Sequence, residues 1–419
     1  MKLSVAFACC VATAANAAYS GDIVQYWVDQ SAILVNGTGV NTCGFQSTPS
    51  GWFEAIVQGA VYLAATKSTG KSLAFQQLAV SHAAHSGMLW TFHGTGLSAT
   101  INSKLKTILP SIGLDALSPD AIQATKIGRE AARVVVVARA DDGINYFVDY
   151  EPKPALPGVY QATPGGKQIP DMPQARFIRF FGGLGDAKKY RAPPPPNVTT
   201  PAYELFLDQV KSQGARKSTV RSAYDTETAY FWRESSPIGW NRLANAVVGD
   251  KLAKDVTASA RFYAQLNYAL ANAAIASWDS KYFYDSWRPV TAIHYPGIYL
   301  ASRRNVSDAN WTPLLSPTPN HQDYLSTHAI SGAAAAAVIK AWNGGSDSVD
   351  VLLSSNVIVD SVGVITRRIT NLTAAAYENG DSRIFGGIHF QFASDVGNKI
   401  GFWVGEDTLK VFDQTWDQF

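Results

Sequence analysis

Residues 52–66 place apolar side chains at helical intervals, a spacing that predicts a helix with one buried face. Residues 254–277 repeat the pattern over a longer run, with alanines small enough to let helices approach closely. The stretch 120–139 looks alike, and 328–342 is alanine-rich and apolar nearly all round. A helix of that last kind belongs in the middle of a bundle. Strict alternation is scarce, and 144–149 is the best candidate for a short strand. Between about 150 and 201 glycine and proline become dense, and Ala192–Asn197 reads APPPPN, a stiff polyproline segment. This stretch reads as an excursion between two helical lobes, either as a linker or as a wrap laid on one bundle. The expectation is an all-α protein with two four-helix-bundle-like lobes, residues 19–190 and 191–419.

Composition narrows the function classes. The chain has 419 residues, 47% apolar and 16% charged, too apolar for a disordered protein. Lys plus Arg is 35 against 33 Asp plus Glu, a net charge of +2. So even a balance argues against a nucleic-acid binder or a polybasic membrane-surface protein. Residues 1–18 read as a signal peptide: Lys2, an apolar run, then the small-x-small triplet Ala15-Asn16-Ala17. Removal would take Cys9 and Cys10 and leave Cys43 alone, so no internal disulfide is expected. Sequons at Asn36, Asn197, Asn305, Asn310 and Asn371 suit a secreted glycoprotein. No later apolar run is long enough to span a membrane. The oligomeric state, a homo-oligomer included, is left open.

Three stretches carry candidate chemistry. In Lys281-Tyr-Phe-Tyr-Asp-Ser-Trp-Arg288-Pro289, seven residues at about 100° each put Lys281 and Arg288 on one helical face two turns apart. Two cations on one face suit an oxyanion, or else form a solvated basic stripe. In Leu325-Ser326-Thr327-His328, Ser326 is a plausible N-cap, so free N–H groups of a helix would meet a bound anion beside His328. In Ser382-Arg383-Ile-Phe-Gly386-Gly387-Ile-His389, the glycines permit a loop that turns Arg383 and His389 inward.

In this order, K-x6-R-P, S-x-H and S-R-x5-H resemble the vanadium-dependent haloperoxidases and the related type 2 phosphatidic acid phosphatases, over roughly residues 278–395. Two positions depart: the superfamily's second motif usually reads P-S-G-H, and Leu325 and Thr327 stand here for Pro and Gly. The resemblance implies a pocket for vanadate, vanadium(V). Lys281, Arg288, Arg383, the Ser326 hydroxyl and the Thr327 N–H would hold its oxygens. His389 would be the apical vanadium ligand, and His328 the acid/base. Hydrogen peroxide and a halide would be the substrates, the organic acceptor being open. His321, seven before His328, occupies a place where the family's bromoperoxidases carry His and its chloroperoxidases an aromatic residue. Trp278 would line the halide approach. The mixture points to bromide.

Vanadate and phosphate share a shape, so a secreted acid phosphatase working through phospho-His389 is the alternative, and an inactive phosphate-binding glycoprotein a second. Glu234, after Phe231-Trp232, is a candidate partner for Arg383, or simply a surface ion pair. His82, His85 and His93 cluster in sequence without a carboxylate, and read as packed or capping histidines rather than a metal site. Cys43 lacks a nearby partner that would activate it.

Overall fold

The computed structural model describes residues 19–35, 47–359 and 363–419. The signal-peptide segment, Asn36 and Cys43 lie outside them. Thirteen α-helices are found among the described residues. The first five are α1 (Ile23–Val35), α2 (Ser47–Lys67), α3 (Leu73–Thr91), α4 (Ser98–Ile112) and α5 (Pro119–Ala138). After the Gly/Pro-rich stretch come α6 (Pro201–Gln213), α7 (Ala223–Phe231), α8 (Ser236–Val248) and α9 (Val256–Tyr284). The chain closes with α10 (Pro289–His294), α11 (Thr327–Trp342), α12 (Leu372–Phe385) and α13 (Gln391–Thr415). The four stretches with helical spacing are thus α2, α5, α9 and α11.

The expected strand at 144–149 is a turn at 144–145, where the Tyr146 N–H donates to the Gly143 carbonyl, followed by chain without regular structure. The sheet is instead one antiparallel hairpin, β1 (Ser348–Val359) with β2 (Gly363–Asn371). It lies against α7 and α8, where Arg367 pairs with Glu227 at 2.9 Å and the Ser355 hydroxyl donates to the Phe231 carbonyl.

Helix α9 is the spine. Asp255 caps it by accepting from the Ala258 N–H, and 23 of its 29 residues are buried. It packs on α2 on one side and on α11 and α13 on the other, so one apolar core runs from the N-terminal helices to the last. Helix α11 meets α13 closely because α13 turns glycines toward it. A Cβ at Gly401 would lie 2.2 Å from the Ile330 carbonyl oxygen. That contact brings the start of α11 beside the segment that leads into α13.

The Gly/Pro-rich stretch is a wrap. The Tyr160 N–H donates to the Asp285 carbonyl and the Trp287 N–H to the Gly158 carbonyl. Thr163 holds the Thr318 carbonyl, Asp171 the Asn320 carbonyl, and Tyr324 reaches back to the Pro193 carbonyl. Loops that would otherwise expose unpaired backbone are thereby satisfied and fixed.

Candidate functional site

Three chain segments converge on one cavity of about 360 Å³, walled by Thr327 and His328 from α11, by Arg383 and His389, and by Trp278 and His321. Helix α12 ends at Gly386, and Gly387 has φ 75°. This left-handed turn carries the chain back so that Arg383 and His389 face the same space.

Lys281 and Arg288 do not share a helix face. Helix α9 stops at Tyr284 because Asp285 adopts a left-handed conformation, φ 53°. The wrap then pairs with Ser286 through Val159, and Arg288 becomes the residue that precedes α10. Both cations are nevertheless buried behind the cavity. The Lys281 ammonium donates to the carbonyls of Gln322, Asp323 and Leu325, which uses its three hydrogens. It therefore braces the loop ahead of α11 and supplies charge from behind the wall. Burial and the nearby Arg288, opposed by Asp323, push it well below the usual ammonium range. Arg288 donates to the His321 carbonyl at 2.7 Å and the Ile388 carbonyl at 2.6 Å, and burial lowers it to about 10 despite Asp323.

The tautomer of His389 is set from both sides. Arg288 Nη1 lies 3.0 Å from His389 Nε2, and a guanidinium can only donate. Nε2 therefore carries the lone pair, and Nδ1 carries the proton. Nδ1 lies 2.8 Å from Asp323 Oδ1, a close approach off the line of a hydrogen bond. Burial foremost, then Arg288 and Lys281, holds His389 well below the usual imidazolium range, so it is neutral. The same two cations pull the Asp323 carboxyl down, but burial outweighs them and raises it to about 7.

His328 is the mirror case. Its Nε2 lies 3.1 Å from the Glu234 carbonyl, which can only accept. Nε2 is protonated and Nδ1 holds the lone pair. Burial, then Arg383, keeps this ring neutral too. Ser326 caps α11 by accepting from the Ala329 N–H, and its hydroxyl proton has no acceptor among the described residues. The first N–H groups of the helix stand beside it. Arg383 donates to Ser382 Oγ and the Ala229 carbonyl, which leaves Nη1 without a protein acceptor among the described residues. Burial and the neighbouring Arg233 and Arg288 lower it to about 9. His321 packs on the Trp278 indole at 4.9 Å and within 3.0 Å of Arg288 Nη2.

Glu234 does not hold Arg383. It forms a two-pronged pair with Arg242 from α8, because the turn between α7 and α8 points its side chain along α8. His85 contacts Asn102 and His93 the Trp90 carbonyl, while His82 is buried and lowered to about 4, chiefly by burial. Among the described residues no three His, Cys, Asp or Glu side chains meet as a metal centre. Sequence reasoning missed Asp323 and Arg233, both brought in by long-range packing.

The cavity thus sets a lone-pair nitrogen, a helix start and buried cations around one space, a set that complements a highly charged oxyanion. The architecture is the vanadium haloperoxidase fold. Residues 261–418 match the family model of the VCPO second helical-bundle domain. The vanadium chloroperoxidase of Curvularia inaequalis is 25% identical over 241 residues, 44% of this chain and 39% of that protein. The match therefore spans about two fifths of the curated relative. A solved bacterial vanadium-dependent iodoperoxidase superposes with a TM-score of 0.74 at 21% identity, covering 93% of this chain and 95% of its own. An apo-type bacterial vanadium-dependent chloroperoxidase gives 0.70 at 17%, with 95% and 99% covered.

Proposed function

We propose that the protein is a secreted vanadate-dependent haloperoxidase that oxidises halide, bromide in preference, with hydrogen peroxide to a hypohalous acid equivalent. The carrying observation is charge. Lys281, Arg288 and Arg383 are buried around His389, with Asp323 as the carboxylate among them. Buried charge left uncompensated is costly, and a resident oxyanion of high charge would balance it. The donor set fits vanadate: His389 Nε2, once its lone pair is released by the Arg288 N–H, for the central atom, and Arg383 Nη1, the Ser326 hydroxyl and the α11 N–H groups for its oxygens.

Bound vanadate would supply a Lewis-acidic centre that activates peroxide without changing oxidation state. The neutral His328 can accept a proton from peroxide at Nδ1 and return it later, while its Nε2–H stays on the Glu234 carbonyl. His321 and Trp278 form the wall on which a halide would rest. The preference for bromide is supported by His321, and export by sequons on the exposed residues Asn197, Asn305 and Asn310. Among the described residues no helix is long and apolar enough to cross a membrane.

The His389 tautomer also suits a phosphoryl-transfer nucleophile, which keeps the phosphatase as rival. One preparation decides between them. After vanadate loading and dialysis, vanadium per mole of protein, dye bromination with bromide and peroxide, and phosphomonoester hydrolysis are measured. About one vanadium per chain, steady bromination and suppressed hydrolysis are expected. Steady hydrolysis with no bromination from mildly acidic to neutral pH would refute the reading.

A further inference from the structure

We infer that the outer part of the cavity is a binding subsite for the organic acceptor, selective for aromatic acceptors that carry a carboxylate; this rests on the haloperoxidase reading. The cavity, at about 360 Å³, is an order of magnitude larger than the roughly 30 Å³ share of one water molecule, far more than a halide needs. Much of its lining is apolar: Leu315, Pro317, Pro319, Ile388 and the Trp278 indole. Mostly apolar walls with a few convergent polar groups are the usual lining of small-molecule sites in this size range.

Arg233 lines the same cavity and is exposed, which puts it at the mouth. It sits in the tight turn between α7 and α8, next to Trp232, whose ring stacks on Trp240 at 5.4 Å. Its guanidinium has no ionic or hydrogen-bond partner among the described residues, and its neighbour Glu234 is committed to Arg242. Arg383 is the next cation inward and is close enough for Arg233 to lower its pKa. No Asp or Glu lines the cavity among the described residues. Two guanidinium groups on one wall with no carboxylate between them complement an anion, and arginine matches a carboxylate in two-pronged geometry. A ring packed on Trp278 and the prolines, with its carboxylate on Arg233, places its edge toward His328 and His389. Halogenation there would form the carbon–halogen bond, break a ring C–H bond, and release the hypohalous oxygen with that proton as water.

The test uses 4-hydroxybenzoate and phenol. Calorimetric titration of the cofactor-free protein is expected to show tighter binding of 4-hydroxybenzoate, weakened roughly tenfold in Arg233→Gln and recovered in part by Arg233→Lys, with phenol binding unmoved. In the vanadate-loaded protein, both acceptors compete in one reaction with bromide and peroxide. The ratio of brominated products is compared with that from free hypobromous acid. The protein is expected to shift the ratio toward the carboxylate, and Arg233→Gln to return it to the reagent value. Equal benzoate affinity in the protein and the variant, or a reagent-like ratio beside active halide oxidation, overturns the subsite. Absence of halide oxidation overturns the underlying reading instead, a distinguishable result.

Discussion

Asp323→Asn separates two effects that a catalytic-site variant usually confounds. The carboxyl is buried and raised to about 7, burial being the main cause, against an ordinary value near 3.8. Below about pH 4 folded and unfolded chains are both protonated there. As pH rises from about 4 to 7 the unfolded chain ionises first, so the wild-type protein loses stability over that window. Three units correspond to about 4 kcal/mol at most, less where Arg288 and Lys281 relax around the charge. Asparagine removes that slope, so at pH 8 the variant is expected to be at least as stable as wild type. Its affinity for vanadate is expected to fall roughly 10- to 100-fold, the usual cost of losing the group behind a ligating histidine. Electrostatics alone predicts the opposite, since the variant pocket is more positive and attracts an anion better. A fall therefore points to a His389 that has lost the carboxylate beside its Nδ1. Urea unfolding at pH 5 and pH 8, with equilibrium dialysis against vanadate, reads both quantities. Tighter or unchanged vanadate binding would refute the reasoning.

The other expectations rest on separate observations. Glu54 is raised to about 8 by burial, and the Ser31 hydroxyl lies 2.8 Å from the Val28 carbonyl and 2.6 Å from Glu54 Oε1, a chain satisfied when Glu54 is the donor. Stability is thus lost as pH rises from about 4.5 to 8, and Glu54→Gln is expected to stabilise by about 3 kcal/mol at most at pH 7, read by urea unfolding. His389→Ala is expected to abolish vanadium retention in elemental analysis, whereas His328→Ala keeps most of it and loses 10²-fold or more in turnover. Expressed through a eukaryotic secretory route, the chain is expected to carry glycan at Asn197, Asn305 and Asn310, found by mass spectrometry. Asn371 is expected to stay bare, because its side chain caps α12 by accepting from the Ala374 N–H at 2.8 Å.

Local patterns announced the elements that local physics decides. The period of α2, α5, α9 and α11 was legible because each buries a continuous apolar face, and Ser326 because an N-cap needs only its own helix. Where remote contacts decide, the sequence was silent. The break at Asp285 depends on backbone pairing with Gly158 and Val159, far away in the chain. The hairpin escaped because register shifts between Ser348 and Val351 and between Ser354 and Ile358 disrupt the alternation that marks a strand. Asp323 looks like any loop aspartate until packing sets it against His389.

That dependence also explains why the N-terminal half matters to a site whose motifs all fall after residue 280. The cations and histidines sit on turns, and turns hold a geometry only when something closes over them. Here the wrap does so: it supplies acceptors and donors to Asp285, Trp287, Thr318 and Asn320, and Arg191 pins Asp279 with two hydrogen bonds at 2.7 and 2.8 Å. The wrap is in turn anchored to the end of α5 through Arg139, which donates to the Arg179 and Phe180 carbonyls, lies 3.7 Å over the Phe181 ring and pairs with Asp142. Asp142 accepts from the Trp52 indole of α2. A physical chain thus runs from α2 to the loop that carries Arg288. The precision of the cavity is a property of the N-terminal helices as well, although the three motifs that meet there all follow residue 280.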